Sequence, residues 1–236
     1  MVIYGVNPVA EALRAGRVTE LAVSVKRQRG LTELVCLAEQ RSLRIRRVDR
    51  AVLERLAGSG NHQGVVATVT SYEKSTVAQL VATSDAPLIV VLDGIEDPQN
   101  LGAIVRSAEA AGAAGVVTQT RRAAPIAGTA VKASAGALVY LPIAPVINIA
   151  RALDELKAAG IWTVGLDSGV NRSIYDLDLR IPVAFVVGSE SRGLRRLVRD
   201  RCDWKVSLPM KGRVSSLNAS VATGIALFEA VRQRSL

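Results

Sequence analysis

Six apolar runs, at 88–94, 115–120, 138–143, 161–167, 183–189 and 204–210, constrain this chain more than any other feature. They lack the polar alternation of a strand with one wet face, so each must be covered on both sides. Helical patterns at 101–111, 147–159, 193–201 and 217–232 separate most of them and supply the covers. Strand and helix in alternation predict an α/β fold built on a parallel sheet. Ligands on such sheets bind beyond the carboxyl ends of the strands. The turns that follow strands are therefore where chemistry is to be sought, and three of them carry it.

The first turn is "DPQNLGAIVRSAEAAG", residues 97–112. It lacks the G-x-G-x-x-G finger of a dinucleotide site. Asn100 is placed to cap a helix starting at Leu101. Leu101, Ile104, Val105, Ala108 and Ala111 share one face, and Arg106 falls nearly opposite, among Gly102, Ala103 and Ala110. Small neighbours leave room for another surface, although a solvated arginine explains the pattern as well. The second turn, "VVGSESRGL" (186–194), offers Gly188 at a strand end, then Ser189, Glu190, Ser191 and Gly193. Either a ligand or a tight turn accounts for those glycines. The third, "SLPMKGRVSSLNASVATGIALFEA" (207–230), runs from Leu208 and Met210 through Ser215, Ser216, Asn218 and Ser220. Four polar side chains within six residues exceed what helix capping needs, which points to a ligand loop.

Absent motifs narrow the chemistry. The chain has one histidine, His62, outside the stretch that holds these turns. That excludes a Ser-His-Asp triad, a Cys-His pair or a histidine metal site there, and no metal is expected. No G-x-x-x-x-G-K-[ST] loop is present, which disfavours an NTPase. Two distant cysteines, Cys36 and Cys202, suggest neither a disulfide framework nor a zinc cluster. No run reaches the ~20 apolar residues of a membrane span, and the start lacks a signal-peptide pattern. A cytoplasmic protein is expected.

Charge speaks to the partner. The chain of 236 residues carries a net +9, which favours a polyanion such as RNA. Aromatics are only 3%, too few to stack base after base. Residues 1–72 hold 11 Lys and Arg against 6 Asp and Glu, and the remaining 164 hold 19 against 15. The first part reads as a small α/β domain with strands at 21–25, 43–48 and 64–69 and a helix at 31–41. Its arginines Arg27, Arg29, Arg41, Arg44, Arg46, Arg47 and Arg50 cluster in sequence, with Arg44 and Arg46 on one strand face. An RNA-facing patch and a solvated surface fit that cluster almost equally. Residues 73–86 read as a linker, with a helical turn or two possible in "VAQLVA".

At the three turns the sequence resembles the SpoU (TrmH-type) family of RNA ribose 2′-O-methyltransferases, in the SPOUT superfamily. The order and spacing of "NLGAIVRSAEAAG", "VVGSESRGL" and "LPMKGRVSSLNASVATGIALFEA" carry the resemblance over roughly 88–232. "YGVNPVAEAL" and "HQGVVATV" resemble the edges of that family's substrate-binding domain, which is similar to the L30e ribosomal-protein fold. One departure is Ser191, where the family usually has glycine. The resemblance implies a domain at 87–236 tied in a trefoil knot, which ordinary topology rules would argue against. It also implies a homodimer with active sites at the interface, and S-adenosylmethionine as cofactor. On this chain the cofactor pocket would involve Gly188, Leu208, Met210, Ser216 and Leu217. Asn100, Arg106, Glu190 and Asn218 fall where the family has its other active-site residues. The domain arrangement is similar to that of enzymes methylating a guanosine in the peptidyl-tRNA loop of 23S rRNA. A tRNA substrate, or an RNA-binding role without catalysis, are the alternatives. Arg106 would act as base, or stabilise the forming alkoxide or the adjacent phosphate; free guanidinium keeps its proton above about pH 12.

Overall fold

The computed structural model describes residues 1–26, 30–58, 61–72 and 74–235. Its first part runs β1 (Val2–Tyr4), α1 (Val6–Arg14), β2 (Val18–Ser24), α2 (Leu31–Gln40), β3 (Ile45–Val48), α3 (Arg50–Ala57) and β4 (Val65–Val69). These strands form one sheet in the order β1-β4-β2-β3. Only the β2–β3 pair is parallel. Leu21, Val23 and Ala67 face Val9 and Leu13 of α1 and Leu34 of α2, while Tyr4, Ala22 and Val66 cover Leu53 of α3 on the other side.

Next comes α4 (Val77–Val81), capped by Thr76, whose hydroxyl accepts the Gln79 amide while Gln79 accepts the Thr76 amide. Val77 and Leu80 are buried against the second sheet, so this helix within 73–86 is docked. The second part continues β5 (Leu88–Asp93), α5 (Pro98–Ala110), β6 (Gly115–Gln119), α6 (Thr129–Ala133), β7 (Ile143–Val146) and α7 (Ile149–Ala158). It ends with β8 (Trp162–Leu166), β9 (Val183–Gly188), α8 (Arg196–Arg201), β10 (Trp204–Val206) and α9 (Ala219–Arg234). Six parallel strands pair in the order β10-β8-β9-β5-β6-β7.

Both faces of this sheet are covered, as the apolar runs require. Every residue of β5 is buried. Leu88, Val90 and Leu92 meet α5 and α9 through Leu101, Ile104, Ala226 and Leu227. Ile89 and Val91 meet α7 and α8 through Leu153, Leu156 and Val198.

Two local expectations need correction. The run 138–143 is not a strand: Ala137–Val139 is a 3-10 turn entered from Gly136 at φ +101, and β7 starts at Ile143. Pro142 has no amide to place in a ladder, and Pro145 is accommodated because β7 is an edge strand. The first-turn helix begins three residues before Leu101, at Pro98, and its cap is Asp97, whose carboxylate accepts the amides of Gln99 at 3.0 Å and Asn100 at 3.4 Å. Asn100 thereby keeps its side chain for other work.

The two sheets are joined by side chains as well as by the chain. The Tyr140 hydroxyl donates to Glu11 Oε2 at 2.8 Å, and Lys132 Nζ donates to the Asn61 carbonyl at 3.0 Å. A Cβ at Gly136 would sit 2.6 Å from the Glu11 side chain, so α1 closes directly over that turn.

Candidate functional site

The three turns converge where β5 and β9 end. Asp93, the last residue of β5, is 1% exposed. It accepts the Arg195 amide at 2.8 Å and Arg195 Nε at 2.7 Å, fastening the second turn to the first. Its only signal in the sequence is an acid closing an apolar strand.

Asn100, Glu190 and Asn218, one from each turn, meet there. Asn100 Nδ2 donates to Glu190 Oε1 at 2.8 Å, and Asn218 Nδ2 donates both to Asn100 Oδ1 at 2.9 Å and to Glu190 Oε1. Asn218 Oδ1 meanwhile caps α9, accepting the Ser220 amide at 2.8 Å and the Ser220 hydroxyl at 2.6 Å. One amide thus serves both jobs. Its oxygen starts the helix and its nitrogen fixes the carboxylate, and an aspartate could do only the first. Glu190 Oε2 makes no hydrogen bond among the described residues.

Beside this cluster a cavity of about 480 Å³ opens at the ends of β8, β9 and β10. Gly188, Leu208, Met210, Ser216 and Leu217 all line it, as does Glu190. Sequence reasoning missed Leu166, Leu194, Asp167 and Arg199 in the same wall. The two leucines read as ordinary core residues, and the Asp167–Arg199 ion pair joins elements too distant in sequence to suggest it. Burial opposes ionisation of Asp167. The Arg199 hydrogen bond and charge, with the Gly169 amide at 2.8 Å, outweigh it and hold the carboxyl below its ordinary range.

Gly188 owes its identity to the chain itself. A Cβ there would lie 2.1 Å from the Gly193 carbonyl carbon. The segment folds back because Gly193 takes φ +62 and donates its amide to the Ser189 carbonyl at 2.8 Å. Ser191 is not in the left-handed region, so the serine at that position costs the turn no backbone strain.

Arg106 is not brought to this cluster. It is exposed, lies on a different face of α5 from Asn100, lines neither cavity at the strand ends, and makes no hydrogen bond or ion pair among the described residues. The small residues near it have a local reason. A Cβ at Gly102 would come within 2.5 Å of the Ala130 carbonyl, so α6 packs against α5 there. In the first domain Arg44 and Arg46 are exposed at the β3 edge of the sheet. Arg41 is used internally, donating to the Arg14 carbonyl at 2.7 Å, and Arg50 pairs with Glu54. Arg27 and Arg29 lie outside the described residues. His62 is buried, and its Nδ1 accepts the Gly64 amide at 3.0 Å. Among the described residues no group of three or more His, Cys, Asp or Glu could hold a metal, and no helix is long and apolar enough to cross a membrane.

Comparison with known proteins bears on this geometry. The model of the SpoU rRNA Methylase family matches residues 87–228, and that of the RNA 2′-O ribose methyltransferase substrate-binding domain matches residues 2–75. The chain is 40% identical over 98% of its length to the putative TrmH family tRNA/rRNA methyltransferase YacO of Bacillus subtilis, covering 95% of that protein. It is 41% identical over 98% of its length to the 23S rRNA (guanosine-2′-O-)-methyltransferase RlmB of Xanthomonas axonopodis pv. citri, covering 96% of it. Among solved structures, the SpoU methyltransferase AviRb of Streptomyces viridochromogenes in complex with AdoMet matches with a TM-score of 0.84 and 29% identity. That match covers 100% of this chain and 90% of AviRb.

Proposed function

The chain belongs to the SpoU rRNA methylase family of RNA 2′-O-methyltransferases, and we propose that it methylates the ribose 2′-hydroxyl of a guanosine in the peptidyl-tRNA loop of 23S rRNA. The observation that carries the site is the meeting of Asn100, Glu190 and Asn218 beside the cavity at the ends of β8–β10. Residues 1–72 would bind the RNA, 73–86 connect, and 87–236 carry the reaction in the cytoplasm. The trefoil knot belongs to the same proposal.

The cavity suits S-adenosylmethionine. Its volume is that of a small-molecule site, Leu208, Met210 and Leu217 give an apolar surface for an adenine ring, and Glu190, which has no ion pair among the described residues, offers negative charge to a cation. When bound, S-adenosylmethionine supplies an electrophilic methyl carbon attached to a positively charged sulfur. A ribose hydroxyl that takes this methyl would have to give up its proton. Asn100 and Asn218 each donate from their amide nitrogen to Glu190 Oε1, which fixes the carboxylate and leaves Oε2 for a donor on a substrate. Arg106 would meet the developing alkoxide or the neighbouring phosphate.

Homodimer formation is part of the proposal and reconciles Arg106 with the site. Val221 and Phe228 lie seven residues apart on one face of α9 and are 49% and 50% exposed. This helix packs beside α5, with Gly224 next to Ser107. Burying that face against a second copy would bring the exposed Arg106 of one protomer to the partner. Arg106→Ala should then lower methyl transfer at least about a hundredfold, as for other removed charge-stabilising groups, and leave cofactor binding intact by calorimetry. Mixing it with an Asn218→Ala chain should restore activity, since one site of each mixed dimer would be whole. Near-normal turnover of Arg106→Ala removes the residue from the reaction, and a mixture no more active than its parts removes the shared site. The name of the Bacillus relative sets tRNA beside rRNA, and the second reading is the same reaction on tRNA.

A further inference from the structure

A second cavity, of about 360 Å³, opens at the ends of β5 and β6. Residues 189–192, Glu190 among them, line it and the first cavity alike, and Asn100 lines the second. The segment 189–192, with Glu190 held by the two amides, is therefore the wall that the two adjoining chambers share. A group-transfer site needs a place for donor and acceptor on either side of the reacting atoms. The first chamber offers the apolar side chains of Leu208, Met210 and Leu217 to the donor, and the residues around the second are mostly polar or charged.

Two of its residues have no work inside the chain. Gln119 ends β6, and its Oε1 is buried without a hydrogen-bond partner among the described residues. A buried amide in that condition is costly unless something else satisfies it. Arg122 stands at φ +55, a backbone conformation unfavourable for a residue with a side chain. Its guanidinium is exposed and makes no ion pair or hydrogen bond among the described residues. The other buried polar side chains here are by contrast satisfied, Asp93 by Arg195 and Asn100 by Glu190 and Asn218. An unpaired amide in the chamber's wall and an idle guanidinium at its rim match a nucleotide, with its polar base edge and anionic phosphate. RNA bases are read in this way once splayed out of their stacks.

Resting on the methyl-transfer reading above, we infer that the second cavity holds the target nucleotide, with Gln119 as a contact to its base and Arg122 as a contact to its phosphate. The test is labelled methyl transfer by the full chain to two RNAs. One is the normal substrate, and the other lacks only the base at the mapped target ribose. Wild type should lose about tenfold in kcat/KM on the base-less RNA, roughly the worth of one net hydrogen bond. Gln119→Leu should lose about tenfold on the normal RNA and little more on the base-less one, because base and amide act as a pair. Arg122→Ala should raise KM for RNA about tenfold while remaining sensitive to the base. Both variants should bind S-adenosylmethionine as wild type does in calorimetry.

Losses for Gln119→Leu and base removal that simply multiply overturn the base contact, and an unchanged KM in Arg122→Ala overturns the phosphate contact. If Gln119→Leu fails to bind cofactor, the surface variant Arg122→Ala alone decides whether the chamber is used. Wild type that transfers to no RNA overturns the underlying reading, a result distinct from active enzyme with indifferent variants.

Discussion

Asp167 shows how a single side chain couples the cavity to stability. Its carboxyl, opposed by burial but held by Arg199 and the Gly169 amide, ionises below its ordinary value. The unfolded chain therefore binds a proton there more readily than the folded one as acid is added. The stabilisation is complete above about pH 4 and fades as pH falls through the depressed folded value. Asp167→Asn should lower the urea midpoint at neutral pH, and the gap from wild type should close in strong acid. A gap that persists unchanged under acid, or none at neutral pH, contradicts this. Gly188 teaches a related lesson. Its neighbours in sequence permit a ligand contact, yet the atoms that exclude a Cβ are backbone atoms of residues 193 and 194. Fold and site constrain the same position, and one sequence alone does not separate them.

At the scale of elements, the edge strand β3 carries a prediction. Arg44 and Arg46, two residues apart and exposed, remain available after Arg41 and Arg50 are committed elsewhere. Reversing both charges should weaken RNA binding and leave cofactor binding alone. Each lost phosphate contact should flatten the slope of log affinity against log salt by about 0.7 to 0.9. Equal binding by wild type and variant at moderate salt, with equal slopes, would remove the patch from RNA recognition. The interior elements were legible because burial dictates pattern: β9 is apolar throughout, β5 is apolar up to its last residue Asp93, and both lie at the centre of the sheet. Legibility failed where short apolar segments cover a sheet without joining it. Leu138 and Leu141 are buried as a strand's residues would be, but they sit on a turn between Gly136 and Pro142. The helix starting at Pro98 was misplaced at its front because Asp97 and Asn100 are both competent caps, and only the tertiary bond to Glu190 distinguishes them.

The whole molecule brings residues 118 apart in sequence into one hydrogen-bonded cluster, Asn100 with Asn218. Sequence order could place those residues at strand ends, since a parallel sheet aligns all its carboxyl ends on one side. It could not show that Glu190 would be held by both amides, or that two chambers would share that wall. Arg106 stays apart from that cluster within one chain, exposed and without a hydrogen bond or ion pair among the described residues. Tyr140–Glu11 and Lys132–Asn61 hold the first sheet's layer against the second part of the chain. The most direct test is transfer of labelled methyl from S-adenosylmethionine to unmodified 23S rRNA and, in parallel, to unmodified tRNA, with modified nucleotides mapped by nuclease digestion and mass spectrometry. A 2′-O-methylguanosine in the peptidyl-tRNA loop is the expected product. Label confined to tRNA would move the substrate to the second reading, and label on a base, or in no RNA while cofactor binds, would contradict ribose methylation itself.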